Sequence, residues 1–504
     1  MSAHKLVWLS VAAAVLSNVS STNAQERPAS PFNRTILVAR AEELAKQPFV
    51  EPTQPSGNNS PNKLSYDQYR AIRFQKGASI WSGEDRTFTI DLFHPGFIYE
   101  TPVNINIVTD LARRVLFTNE IFDYGPEITQ LPTGSDAKGY SGFRVRAPIN
   151  RPDYLDEFLV FQGASYFRGV ARDQSYGISA RGLAVRTARP EGEEFPVFTD
   201  FWIERPAKKV SSLVIHAMLQ SPSVVGAYTF TVTPGDETVI DVDATLFPRA
   251  ELTAYGIAPL TSMFLFDASG RSRFDDFRDA VHDSDGLEMV TGRGERIWRP
   301  LANPRKLQVS GFVDKSPRGF GLLQRKRHFA DYEDWEARYE RRPSLWVEPR
   351  GDWGEGHVEL VEIPSDREIH DNIVAYWQSA TPLPPGKAAE FSYRLRYTNE
   401  PLDDALARVV ATRSGAAQRS ADQRAFVIDF KGAAPPPDDL QIVATTASSP
   451  GQILDARGSL VTETGAYRVS FELAPERADL VELRVVLTSK EQPWSETWLY
   501  QWTR

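Results

Sequence analysis

Carboxylates are the reactive groups this chain has in quantity: 66 Asp and Glu against seven His and no Cys in 504 residues. There is no G-x-S-x-G elbow, no H-E-x-x-H and no phosphate-binding glycine loop. The chemistry that carboxylates support most directly is acid/base work on acetals. Two stretches share a pattern. In "VHDSDGLEMVTGRGERIWRP" (281–300) Asp283 follows His282 and precedes a Gly-containing turn, and in "REIHDNIVAYW" (367–377) Asp371 follows His370. Asp371 stands at the mouth of an apolar run containing Ile373, Val374 and Trp377. Either it closes an Asx-turn on its own backbone, or its protonation state is used. In the second case the apolar residues beyond it form a wall that disfavours the ion and raises its pKa. Both acids fall at loop-to-strand junctions, where functional groups of β-sandwiches tend to lie.

Further stretches could line a groove. Residues 163–206 place Tyr166, Arg168, Tyr176, Arg181 and Trp202 in a Gly-rich setting, and 320–356 alternates Arg, Tyr and Trp with acids. Tight turns between strands and a charge-paired surface segment explain these patterns equally well. The 11 Trp and 17 Tyr suit the flat C–H faces of a carbohydrate, and they suit a core as well. Net charge is −9 with no basic tract, which disfavours nucleic acid and anionic membranes as partners. No metal site is expected: Asp241 and Asp243 alternate along one strand and should face solvent or cross-strand arginines.

The elements that must position these residues are mostly strands. Residues 87–94 and 102–109 alternate with period two. Residues 227–247 read as a hairpin about Pro234-Gly235-Asp236-Glu237. Two helices precede them, in 34–49 and 65–74, the second with capping-box spacing between Ser65 and Gln68. At the N-terminus, Lys5, an apolar run over 6–16 and small residues up to Ala24 form a Sec-type signal peptide, 1–24, cleaved after Ala24. That run is short for a membrane span, so the mature protein is expected in the periplasm with none. Lack of cysteine leaves stability to the core. An all-β chain of two domains is expected: a large N-terminal β-sandwich over 25–398, a linker over 399–407, and a C-terminal immunoglobulin-like β-sandwich over 408–504. The polar run 399–424 carries a short helical pattern.

The segments "GASYFR", "YGISARGLA", "APLTSMFLF", "HDSDGL", "IWRPLANP", "GFGLLQR", "RYERRPS" and "DNIVAYW" occur in this order. Through them the chain resembles the periplasmic glucan biosynthesis proteins G and D (the MdoG/OpgG group). The resemblance implies a galactose-mutarotase-like supersandwich with a long cleft, joined to an immunoglobulin-like domain. It implies action on β-1,2-glucan backbones in osmoregulated periplasmic glucan synthesis, as an inverting glycoside hydrolase or transglycosylase. The alternative is a non-catalytic factor that binds nascent glucan and presents it for branching. By motif, Asp371 matches the family's general acid and Asp283 its general base, acting on water through a relay. Tyr339 of "RYERRPS" and Glu368 of "REIHD" match positions lining the cleft. Neither a cofactor nor a metal is implied, and the partners are β-1,2-glucan and other glucan-synthesis proteins. D-type members commonly carry a twin-arginine export signal; its absence here points to the G type.

Overall fold

The computed structural model describes residues 29–52, 64–99, 101–126, 128, 139–400, 406–418, 420, 422–447 and 451–504. The expected signal peptide and most of the expected linker lie outside them. Both expected helices form, each shorter than its pattern: Arg34–Ala45 within 34–49 and Tyr66–Ala71 within 65–74. Asn33 accepts the Ile36 N–H (2.9 Å) at the head of Arg34–Ala45, and Ser65 and Gln68 close a capping box on Tyr66–Ala71. Leu37 and Ala41 bury the first helix against Trp202, Met218 and Phe247.

Among the described residues, everything else of substance is β. The hairpin pairs Val224–Thr233 with Thr238–Pro248 antiparallel. Ile240, Val242 and Leu246 point into the core, whereas Asp241 meets Arg350 and Arg394 (2.7 Å each) and Asp243 accepts from Ser392 (2.6 Å). This hairpin belongs to a fifteen-stranded sheet, which faces a ten-stranded one. Between them lies an aromatic core that includes Phe143, Phe161, Phe167, Phe198, Phe201 and Phe230. Burial of each such ring contributes about 1.5–3 kcal/mol, and the result is an all-β sandwich.

The ten-stranded sheet carries the candidate site. Its order includes Thr89–Phe93, Gly142–Arg151, Tyr154–Gln162, Tyr166–Gly169, Ser179–Arg181, Tyr255–Ser262, Ile373–Ser379 and Glu355–Glu362. Toward the C-terminus, four strands stack on Gln441–Ala447, Leu480–Ser489 and Thr497–Thr503 over Phe426, Phe471 and Trp498. Within the run 399–424, where a short helical pattern is expected, the described stretch Arg408–Ala416 is a strand, and residues 401–405 lie outside the described residues. Val409 is buried, and Thr412 accepts the Trp498 indole N–H (3.0 Å), so tertiary partners override the local preference. Thr497–Thr503 also pairs in parallel with Arg296–Pro300, which carries the fifteen-stranded sheet from one half of the chain into the other.

Candidate active site

Asp283 and Asp371 come together because both loops hang on one irregular stretch, Ser262–Phe264. The Asp283 N–H donates to the Met263 carbonyl (2.8 Å) and the Asn372 N–H to the Ser262 carbonyl (3.1 Å). The buried Asn372 side chain then locks the next residue: its Oδ1 accepts the Phe264 N–H (2.8 Å) and its Nδ2 donates to the Phe264 carbonyl (2.9 Å). A Ser262–Ser284 hydroxyl bond (2.8 Å) ties the Asp283 loop down from the other side. Asn372 is thus a positioning residue, which its place beside Asp371 in sequence does not announce.

The two carboxyls sit in opposite environments. Asp283 is 5% exposed, and its Oδ1 has no hydrogen-bond partner. Burial, with help from the charges of Asp371 and Glu368, pushes its carboxyl up to about 6, against the pull of Arg342 and Arg168. Arg342 Nη1 lies 3.4 Å from that Oδ1. Asp371, by contrast, keeps a third of its side chain exposed and meets Arg168 Nη2 at 3.3 Å. The apolar wall expected behind Asp371 is not there. Ile373, Ala375 and Trp377 turn into the core, Val374 and Tyr376 pack with Val361 and Ala184 on the other face, and Asp371 precedes them all. The walled carboxyl is Asp283.

Tyr339 and Glu368 meet at the same place. The Tyr339 hydroxyl donates to Glu368 Oε2 (3.1 Å), and burial raises its pKa, as do the charges of Glu368 and Asp283. Arg342 covers the Tyr339 ring at 5.1 Å, linking this residue to Asp283. Arg278 fastens the surrounding loops, reaching Asp334 (2.6 Å), Asp276 (2.8 Å) and Glu368 (2.9 Å). His282 is fully buried, with Nδ1 against Gln324 Oε1 (2.9 Å), and burial lowers its pKa, so at neutral pH it is uncharged. Burial alone would raise Asp285, but His282, Lys326 and the backbone N–H groups of Lys326 and Arg325 hold it below the usual range.

In the sequence Arg168 belongs to a set that can line a groove or serve tight turns equally well, whereas Arg278, Arg342 and Gln324 carry no local signal of their own. Each acts across long sequence separations, and none is set apart by its neighbours in the chain. The arrangement offers one solvent-facing carboxyl and one withdrawn carboxyl whose Oδ1 accepts no hydrogen bond, which is the equipment for moving protons to and from a bound hydroxyl or glycosidic oxygen.

A family model described as periplasmic glucan biosynthesis protein, MdoG, matches residues 32–502. Glucans biosynthesis protein G of Shewanella frigidimarina is 49% identical over 477 residues, covering 94% of this chain and 85% of that protein. Glucans biosynthesis protein G of Shewanella sp. strain MR-7 is 49% identical over 476 residues, covering 94% and 87%.

Proposed function

Because the chain belongs to the family of periplasmic glucan biosynthesis proteins, we propose that it works in the periplasm on β-1,2-glucan backbones, as an inverting glycoside hydrolase or transglycosylase. Asp371 is the general acid, reaching the glycosidic oxygen from the solvent-facing side. Asp283 is the general base and acts on the attacking water or sugar hydroxyl through a relay. Tyr339 and Glu368 line the cleft beside them. The observation that carries this reading is the buried Asp283 carboxyl, raised to about 6. It is ionised at neutral pH yet more basic than an ordinary carboxylate, as a general base should be. A sugar chain lying over Asp371 excludes bulk water from the glycosidic oxygen that it must protonate.

A second reading has its own support. Asp371 is one-third exposed and faces Arg168 rather than an apolar wall, which suits a chain-holding surface. On this reading the protein binds nascent glucan and presents it for branching without turnover.

The test incubates purified mature protein with linear β-1,2-glucan and follows products by chromatography, beside Asp371→Asn. Shorter or rearranged glucans from the wild type alone support the enzyme. Unchanged glucan in both, with binding retained, supports the presenting factor.

A further inference from the structure

The face of the ten-stranded sheet that bears Arg168 and Asp371 continues well beyond them. Cross-strand partners put Asp91, Arg144, Val160 and Arg168 in one row: Asp91 opposes Arg144, Arg144 opposes Val160, and Val160 opposes Arg168. Their sequence neighbours Ile90, Phe143, Phe161 and Phe167 all belong to the core. The row therefore lies on the face turned away from the core. Two strand spacings, about 10 Å, separate Arg168 from Arg144.

At the Arg144 end the row runs into a cavity of about 430 Å³ whose walls include Arg70, Arg73, Lys76, Arg144 and Arg146. Arg144 and Arg146 are engaged by Asp91 (2.8 and 2.7 Å), and Arg144 also by Glu157 (2.7 Å). Among the described residues, no carboxylate lies within ion-pair reach of Arg70, Arg73 or Lys76. The chain as a whole carries a net charge of −9, so bulk charge does not account for five cations around one hollow.

The segment that brings these cations is fixed in place. The Tyr69 hydroxyl donates to the His94 carbonyl (3.0 Å) and accepts from Gln162 (2.8 Å). Arg73–Phe74 pairs with Phe122–Asp123. The Asp123 carboxylate opposite Arg73 accepts instead from Gln75 (2.9 Å). Tyr69, Phe74 and Phe93 add flat apolar walls, and Arg144 lies over Phe93 at 5.8 Å. Unpaired cations beside aromatic faces suit a sugar that carries an anionic group.

We infer that this cavity is a binding site for an anionic substituent, a phosphate or carboxylate group carried on the glucan chain that lies across the Arg168–Asp371 face. The inference rests on reading that face as a glucan site. It assigns the chain a preference for charged over neutral glucan that the acid pair alone does not supply.

The test measures binding of the full-length mature protein, by titration calorimetry, to three β-1,2-glucans of equal length: unmodified, carboxymethylated and phosphorylated. Wild type should bind the anionic forms about tenfold more tightly than the unmodified one, since charge-assisted bonds are worth at least that much. The gain should vanish at high salt and in the exposed double variant Arg70→Gln/Arg73→Gln, whose affinity for unmodified glucan stays at the wild-type value. A gain for only one of the modified glucans upholds the inference and identifies the anion. Equal wild-type affinity for all three, or a gain that survives in the double variant, overturns it while the glucan reading stands. Failure of all three to bind overturns both.

Discussion

Asp283 and Asp371 place the same side chain in two media, and their behaviour follows from that difference. Asp283 is raised from its ordinary 3.8 to about 6, so between those values the native protein holds a proton that the unfolded chain has already released. Stability from this group is therefore complete below about pH 4 and is lost as pH rises through about 6. The loss amounts to roughly 3 kcal/mol. Urea unfolding of wild type and Asp283→Asn at successive pH values isolates it: the variant should gain on the wild type by about that much between pH 4 and 7, and a constant difference would refute the raised value. Where turnover is detected, kcat/KM should rise with pH through about 6, the acid limb of a base that must be ionised.

At the scale of elements, the junction Ser262–Phe264 holds the site together through backbone bonds from two distant loops. Asn372→Ala tests this. The change leaves the buried Phe264 N–H without its acceptor and the carbonyls of Phe264 and Ile363 without a donor. It should cost about 2–4 kcal/mol in urea unfolding. Asp371 should be displaced with it, so glucan turnover or binding should fall even at low temperature, where the variant is still folded. Unchanged stability would mean that the loop is held by something else. This junction also marks the limit of what sequence could reveal. The hairpin about Pro234–Glu237 and the capped helices are written in local periodicity and turn chemistry, and the two acids stand out by their shared His-Asp pattern. The apolar run after Asp371 is equally visible, but its alternation sends those side chains into the core and past the sheet, not beside the acid. What walls in Asp283 is Arg342, Tyr339 and neighbouring loops, contacts that no local pattern encodes. Likewise, Arg408–Ala416 reads as polar and helical until Trp498 supplies a partner.

Across the whole molecule, the C-terminal strands do not hang on a free tether. Glu496, fully buried, accepts Arg325 Nη1 (2.6 Å), Arg325 Nη2 (2.9 Å) and the Val409 N–H (2.6 Å). Arg325 also reaches Glu288 (2.9 Å) and lies 3.5 Å over Trp298, whose strand pairs with that of Trp498. The same Arg325 offers its backbone N–H to Asp285, two residues from Asp283, so the joint between the halves adjoins the candidate site. A buried pair stripped of one partner leaves an uncompensated charge, which costs about 3–5 kcal/mol. Glu496→Ala should therefore lower the unfolding midpoint strongly. The form of the change is more telling than its size. If the parallel pairing of Thr497–Thr503 with Arg296–Pro300 makes one cooperative unit, calorimetry should show a single transition that moves as a whole in the variant. A chain ending before residue 408 should then fail to fold, because it exposes Trp298, Leu323 and Trp346, which share a core with the C-terminal strands. Two transitions, of which Glu496→Ala shifts only the lower, would instead describe separable domains, with an N-terminal sandwich able to hold its acids in place alone.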